Sequence, residues 1–335
     1  MTALTPPPSH PDPPPHLGLT RDEPMAHHTY IRLGGPAAFF GAPPDFEALV
    51  RMAAWAREAA LPLRVVGGGS NMLVADEGVR AVVVSLRHAC GEVTFDDQRH
   101  EVTAGAAVML PALARAAAER GLGGLEFAIG IPGAVGGALQ TNAGIGDGRC
   151  IGNIVRSVEV LRDGQRLTLS RDEVAWDYRT TSLRGSGDLV LSARLGLTPR
   201  PRAEVEAEMR RLLEARQRTQ PTSEPNAGSV FRNPEGDHAA RLIQAAGCKG
   251  LRVGGAQVST LHANFIVHDG KARGGPTADA AATTKDVLAV MAEVQRRVRA
   301  AFGVTLVPEV EWWGDGPLPE PYRAASPHPQ RPGSD

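Results

Sequence analysis

The chain has 335 residues, 36 Lys+Arg against 37 Asp+Glu and a net charge of −1. That length supports roughly two domains with sizeable cores. The near-neutral balance and 4% aromatic content give no basic field for nucleic acid and no base-stacking platform, and no basic amphipathic stretch marks a membrane surface.

In chain order, residues 1–24 are Pro-rich, with Pro6-Pro7-Pro8 and Pro13-Pro14-Pro15. They lack a charged n-region and an apolar h-region, so they read as a disordered tail rather than a signal peptide. The folded part is expected from Met25. Residues 45–60 follow Pro43-Pro44 and place Leu49, Met52, Ala53, Ala56 and Ala59 on one helical face. Strands are expected at 63–66, 72–74 and 79–86, and a hairpin at 92–103 around Asp96-Asp97-Gln98-Arg99. A short Ala-rich helix at 111–120 stops at Gly121. A second hairpin turns at Asp163-Gly164, and residues 189–195 form another strand. Beyond Pro199 and Pro201 come helices at 203–216, 239–246 and 285–302, with a strand at 264–268. From Pro317 a second tail is expected. Hairpins mixed with crossovers indicate an α+β fold. No apolar run is long enough to span a bilayer. Cys90, Cys150 and Cys248 are widely spaced. They form neither a disulfide framework nor a CxxC metal site, which fits a reducing cytoplasm.

Five segments carry candidate chemistry. Gly67-Gly68-Gly69-Ser70-Asn71 sits between two strands. Glycines let backbone approach a ligand, successive N–H groups can form an anion nest, and Ser70 and Asn71 add donors. It is not a Rossmann turn, because Met72 stands at the third-Gly position and a strand follows. Taken alone, it is equally a tight hairpin with no ligand. The second segment is Gly130-Ile131-Pro132-Gly133-Ala134-Val135-Gly136-Gly137, leading to Asn142-Ala143-Gly144. Its glycine density argues against a regular helix. Either its glycines serve close strand crossings, or both clusters wrap one extended cofactor.

Ser229, in Asn226-Ala227-Gly228-Ser229-Val230-Phe231-Arg232-Asn233-Pro234, follows a glycine in a loop. A hydrolase elbow would need Gly where Phe231 stands, and helix capping is the commoner fate of such a serine. Tyr178-Arg179 could clamp a carboxylate in bidentate fashion, or Arg179 is an ordinary surface arginine. Glu309, in Pro308-Glu309-Val310-Glu311, lies in an apolar strand where a carboxylate would titrate high unless paired. Alternation puts Glu311 on the same side.

In this order the segments resemble the UDP-N-acetylenolpyruvoylglucosamine reductase family. The matching residues are Gly67 to Asn71, Gly130 to Gly137 with Asn142-Ala143-Gly144, Tyr178-Arg179-x-x-Ser182, Gly228 to Pro234, His262-Ala263-Asn264-Phe265 and Glu309-Val310. The resemblance implies an FAD-binding domain of the vanillyl-alcohol-oxidase type plus a smaller α+β substrate-binding domain. It implies FAD contacts at Gly67, Gly68, Gly69, Ser70, Asn71, Gly130, Ile131, Pro132, Gly133, Gly136, Gly137, Asn142 and Gly144. NADPH reduces the flavin in that family, and the reduced flavin gives hydride to the enolpyruvyl group of a UDP-sugar, forming UDP-N-acetylmuramate for peptidoglycan. Ser229 matches the proton donor. Arg179 and Glu309 match the pair that stabilises the enolate-type intermediate, a task suited to a fixed cation and an acid in a dry site. Tyr178, Asn233 and Arg218 are the expected substrate contacts.

Two departures stand out. Residues 184–188 are too short for the loop that carries a substrate-binding tyrosine in some members. Thr219 stands where a Lys often precedes Gln-Pro, leaving Arg218 or Arg216 to supply that charge. The run 271–284 is longer and richer in Gly and Ala than expected. The resulting division is an FAD domain of two α+β lobes at 25–199, a substrate domain at 200–316 and tails outside them. A cytoplasmic monomer is expected. Competing readings are an O₂-using oxidase on the same scaffold, disfavoured because no His or Cys for covalent FAD lies in either Gly-rich stretch, and a non-catalytic nucleotide-binding regulator. A metal hydrolase is weaker, since His27-His28 has no carboxylate at ligand spacing.

Overall fold

Residues 11–269 and 282–323 are described in the computed structural model; most of the unexplained 271–284 run therefore lies outside them. Strands β1 (Thr20–Pro24), β2 (Pro36–Gly41), β3 (Leu63–Val66) and β5 (Val79–Ser85) form one sheet in the order β1-β2-β5-β3. The β2 and β3 pairings with β5 are parallel, and β1 pairs antiparallel with β2, Thr20 opposite Phe40. The chain is thus ordered before Met25. The reason is non-local: β2 would otherwise be an unpaired sheet edge, and Leu17, just upstream of β1, is buried in the first core. Helix α1 (Phe46–Glu58) begins at Asp45, whose carboxylate caps the Ala48 N–H at 2.7 Å. It buries Leu49, Met52, Trp55 and Ala56.

Strand β4 (Met72–Val74) leaves that sheet and pairs in parallel with Glu311–Trp313, Met72 opposite Glu311. Strands β6 (Val93–Asp96) and β7 (Glu101–Gly105) form the expected hairpin, and helix α2 (Leu110–Glu119) follows. A second sheet of five strands joins them to Val155–Arg162, Gln165–Ser170 and Leu189–Gly196, all antiparallel. The second Gly-rich stretch departs from expectation: Val135–Thr141 is a short helix, α3, that contains Gly136 and Gly137. Packing overrides propensity here, because a Cβ on Gly136 would stand 3.1 Å from the Ala106 Cβ.

Helix α4 (Arg202–Thr219) buries Val205 and Met209 in the first core. On packing grounds it closes the first unit, although it follows Pro199 and Pro201 in sequence. The second core joins α5 (Ala239–Ala245) and α6 (Thr284–Phe302) to short strands at 256–258 and 266–267. Helix α6 opens with a Thr283–Asp286 capping box and ends at Gly303 with φ +70°. Residues 317–323 are not a tail. Residues Glu320–Arg323 form a short helix, α7. The Tyr322 hydroxyl donates to Val310 O at 3.0 Å, and Gln295 Nε2 donates to Pro321 O at 2.9 Å. Among the described residues, no helix is long and apolar enough to cross a membrane.

Candidate active site

The two Gly-rich stretches meet. A Cβ on Gly68 would lie 2.8 Å from Pro132 O, one on Gly67 3.2 Å from the Ala134 Cβ, and one on Gly133 3.6 Å from Ser70 Oγ. Much of the glycine requirement is therefore close backbone packing. Gly69, with φ +59°, would drive a Cβ to 2.0 Å from His28 O, and Gly144 to 2.3 Å from Arg149 O. Gly137 opens to free space, and Gly130 faces the Arg216 side chain at 3.3 Å.

The backbone of the first turn nevertheless has donors to spare. Among the described residues, no backbone N–H from Gly67 through Asn71 donates a hydrogen bond. Five successive N–H groups without acceptors are what an anion nest requires. Gly67 and Gly68 border a cavity of about 360 Å³ that His28, Tyr30, Arg32 and Thr222 also line. The cradle thus fits the diphosphate of a dinucleotide such as FAD. Two predicted ligands use their side chains elsewhere. Asn71 Nδ2 donates to Glu309 O at 3.2 Å, and Asn142 bonds Asp177 O and Gly152 N.

Arg179, Glu309 and the Ser229 loop converge next to this cradle. Arg179 is the second residue of the turn joining Trp176–Asp177 to Thr180–Thr181. Its Nε stands 2.8 Å from Glu309 Oε1, with the side chains 20% and 17% exposed. The N–H does not point at that oxygen, so the contact is an ion pair without an aligned hydrogen bond. Burial pushes the Glu309 carboxyl up, outweighing the opposing pull of Arg179, Arg232 and Arg184. Glu311, expected on the same side, instead accepts from Trp313 Nε1 at 2.8 Å.

The Ser229 loop is tied to both neighbours. Val230 O accepts from Glu309 N at 2.8 Å, and Gly228, with φ +76°, would bring a Cβ to 3.5 Å from Ser70 O. The Ser229 hydroxyl has no hydrogen-bond partner among the described residues. Buried Asn264 holds the loop by accepting from Phe231 N at 3.0 Å and donating to Phe231 O at 2.7 Å. Asn226 Oδ1 accepts from Gly228 N at 2.9 Å. These amides hold the loop's backbone and leave the serine hydroxyl uncommitted.

The remaining predicted contacts divide. Tyr178 is 46% exposed, with the Arg179 guanidinium 5.4 Å from its ring centroid. Asn233 is exposed, and its Oδ1 accepts from Ala239 N at 3.0 Å, capping α5. Arg218 is exposed on α4, whereas Arg216 is half-buried beside Gly130; burial lowers the Arg216 pKa. Sequence reasoning missed Arg184 and Arg232. Arg232 buries its Nε without a partner, and burial with the Arg184 charge lowers its pKa. Its place immediately before Asn233 in a matched segment was the available signal.

The fold and this cradle define an FAD-binding flavoprotein: residues 37–170 match the FAD binding domain family. Residues 220–313 match the family described as UDP-N-acetylenolpyruvoylglucosamine reductase, C-terminal domain. UDP-N-acetylenolpyruvoylglucosamine reductase 2 of Symbiobacterium thermophilum is 43% identical over 89% of this chain and 93% of its own length. The Moorella thermoacetica reductase is 42% identical over 90% and 95%. The crystal structure of UDP-N-acetylenolpyruvylglucosamine reductase from Thermus caldophilus matches with a TM-score of 0.72 and 36% identity, over 88% of this chain and 98% of that one. The chain belongs to the UDP-N-acetylenolpyruvoylglucosamine reductase family.

Proposed function

We propose that this chain reduces the enolpyruvyl group of UDP-N-acetylglucosamine enolpyruvate to UDP-N-acetylmuramate, with FAD as cofactor and NADPH as reductant. The observation that carries the reading is the half-buried Arg179–Glu309 pair beside a free serine hydroxyl and a cradle of unpaired N–H groups. Bound at Gly67 to Asn71, the flavin would supply hydride chemistry.

The protein must make an enol ether accept that hydride. The carbon bearing the enolpyruvyl carboxylate then carries developing charge, which the carboxylate spreads as an enolate-type dianion. Arg179 would neutralise it, with Arg184 and Arg232 adding positive charge beside Glu309. Burial favours the neutral form of Glu309; in that form it would donate a hydrogen bond to the dianion rather than compete with it as an anion. Ser229 delivers the proton that completes the reduction. Its hydroxyl is a weak acid, so the step depends on placement, which the Asn264 and Asn226 contacts with the loop provide.

In this reading residues 25–199 hold the cofactor, and the UDP-sugar is bound between that part and the C-terminal one, by Tyr178 and Arg184 of the former and Asn233 and Arg232 of the latter. Arg216, half-buried beside Gly130, takes the place of exposed Arg218 as the cation near the second Gly-rich stretch. No step needs a second copy, so a monomer suffices, and a nucleotide-sugar substrate places the reaction in the cytoplasm. The test is direct. The purified protein should bind FAD stoichiometrically and consume NADPH in step with formation of the reduced UDP-sugar. A protein that binds no added FAD, or that consumes NADPH without reducing the enolpyruvyl UDP-sugar, would refute the assignment.

A further inference from the structure

The turn that carries Arg179 is not self-supporting. Asp177 pairs with Thr180, so Tyr178 and Arg179 form a two-residue hairpin loop. Such loops favour turns with positive φ at the first central residue. Here Arg179 alone has positive φ, +57°, and it carries a full side chain. A non-glycine residue in the left-handed region is held there only by its surroundings.

Those surroundings are the C-terminal end of α3, and they grip both strands of the hairpin. On the first strand, Asn142 Nδ2 donates to Asp177 O at 3.0 Å. On the second, buried Thr181 donates through Oγ1 to Leu139 O at 3.0 Å. Asn142 is itself left-handed, with φ +44°, and caps α3. Its Oδ1 accepts from Gly152 N at 3.1 Å, so both ends of the amide are engaged by protein. A Cβ on Gly152 would stand 2.8 Å from that oxygen, which leaves no space between the two segments. At the hairpin base, Ser182 Oγ accepts from Ala175 N at 3.0 Å.

We infer that Asn142 and Thr181 are positioning residues that clamp the Arg179 turn to the end of α3, and that the Asn142 side chain is not a flavin contact. The clamp joins the second Gly-rich stretch to the arginine through one helix of seven residues. The inference rests on the proposed role of Arg179 for its kinetic consequence and on geometry alone for its structural one. The two are tested separately.

Asn142→Gly keeps the left-handed backbone and removes both amide bonds. Asn142→Asp keeps the acceptor for Gly152 N and sets a carboxylate against Asp177 O. Thr181→Val removes the grip on the other strand. In the oxidised holoenzyme, amide hydrogen exchange of the peptide spanning 176–181 should accelerate at least tenfold in Asn142→Gly; unchanged exchange overturns the clamp. Kinetically, bound flavin per chain and the rate of flavin reduction by NADPH should stay within about twofold in all three variants. Reoxidation by the enolpyruvyl UDP-sugar should slow at least tenfold. Flavin loss with normal reoxidation per bound flavin would make Asn142 a cofactor contact, and equal slowing of both half-reactions would make its role merely structural. Arg179→Gln is the control. Normal reoxidation in that variant refutes the proposed function, while the exchange result still decides the clamp.

Discussion

Asn264→Ala removes the side chain that holds the Ser229 loop. Asn264 is 4% exposed and Phe231 2%, so neither the Phe231 N–H nor its carbonyl can turn to water once the amide is gone. Two hydrogen bonds, at 3.0 and 2.7 Å, are lost. Each buried backbone group left unpaired costs about 1–3 kcal/mol. The two share one site and are not fully additive, so the expected destabilisation is about 2–4 kcal/mol. With a urea slope of about 2–3 kcal/mol/M, the unfolding midpoint of the holoenzyme should fall by about 1 M. Reoxidation of the flavin by the UDP-sugar should slow more than its reduction by NADPH, because in the proposed reaction only the former uses Ser229, two residues from the anchor. An unchanged midpoint would refute the claim that these bonds carry the loop. A lowered midpoint with both half-reactions intact would refute the claim that the loop positions the serine.

Gly69→Ala should cost about 2 kcal/mol or more and abolish FAD retention. The new Cβ would fall 2.0 Å from His28 O, displacing the segment whose Tyr30 N–H donates to Gly69 O; thermal unfolding and the flavin absorption of purified protein check both. Arg232→Gln should raise the KM for the UDP-sugar at least tenfold without lowering the urea midpoint, because it relieves repulsion from Arg184 and Arg179; a lowered midpoint with normal KM would contradict it. Glu309 has a raised folded-state pKa. Its contribution to stability is full below its unfolded pKa of about 4.3 and is lost as pH rises through the higher folded value. The difference in unfolding midpoint between the unaltered protein and Glu309→Gln should therefore shift against the unaltered protein as pH rises through that window, and a difference flat with pH would contradict the protonated role.

The matched segments were legible because each needs particular residue types in a fixed local order, and the structure brings Arg179, Glu309 and the Ser229 loop together. What stayed hidden depends on distant pairing. β1 is ordered because β2 offers an edge, and Tyr322 because Val310 O lies twelve residues back; composition marks both segments as tails. Gly136 and Gly137 looked incompatible with a helix, yet the approach to Ala106 calls for a small residue at 136 in α3. Asn71 and Asn142 carry the right chemistry for ligand contact, but their amides are committed to Glu309 O and Asp177 O. A motif reports that a residue type is required without saying which partner requires it. Arg184 and Arg232 escaped for the opposite reason, since an isolated arginine in a loop is ordinary until its place beside the Glu309 carboxyl is seen.

Ser229→Ala, loaded with FAD and mixed rapidly with NADPH and then with the enolpyruvyl UDP-sugar, separates the proton delivery proposed for Ser229, beside Arg179 and Glu309, from reduction of the flavin. Flavin reduction is expected at the unaltered rate, followed by reoxidation slowed at least a thousandfold, about 4 kcal/mol in barrier. Reoxidation at the unaltered rate, with UDP-N-acetylmuramate formed, would contradict that role for Ser229.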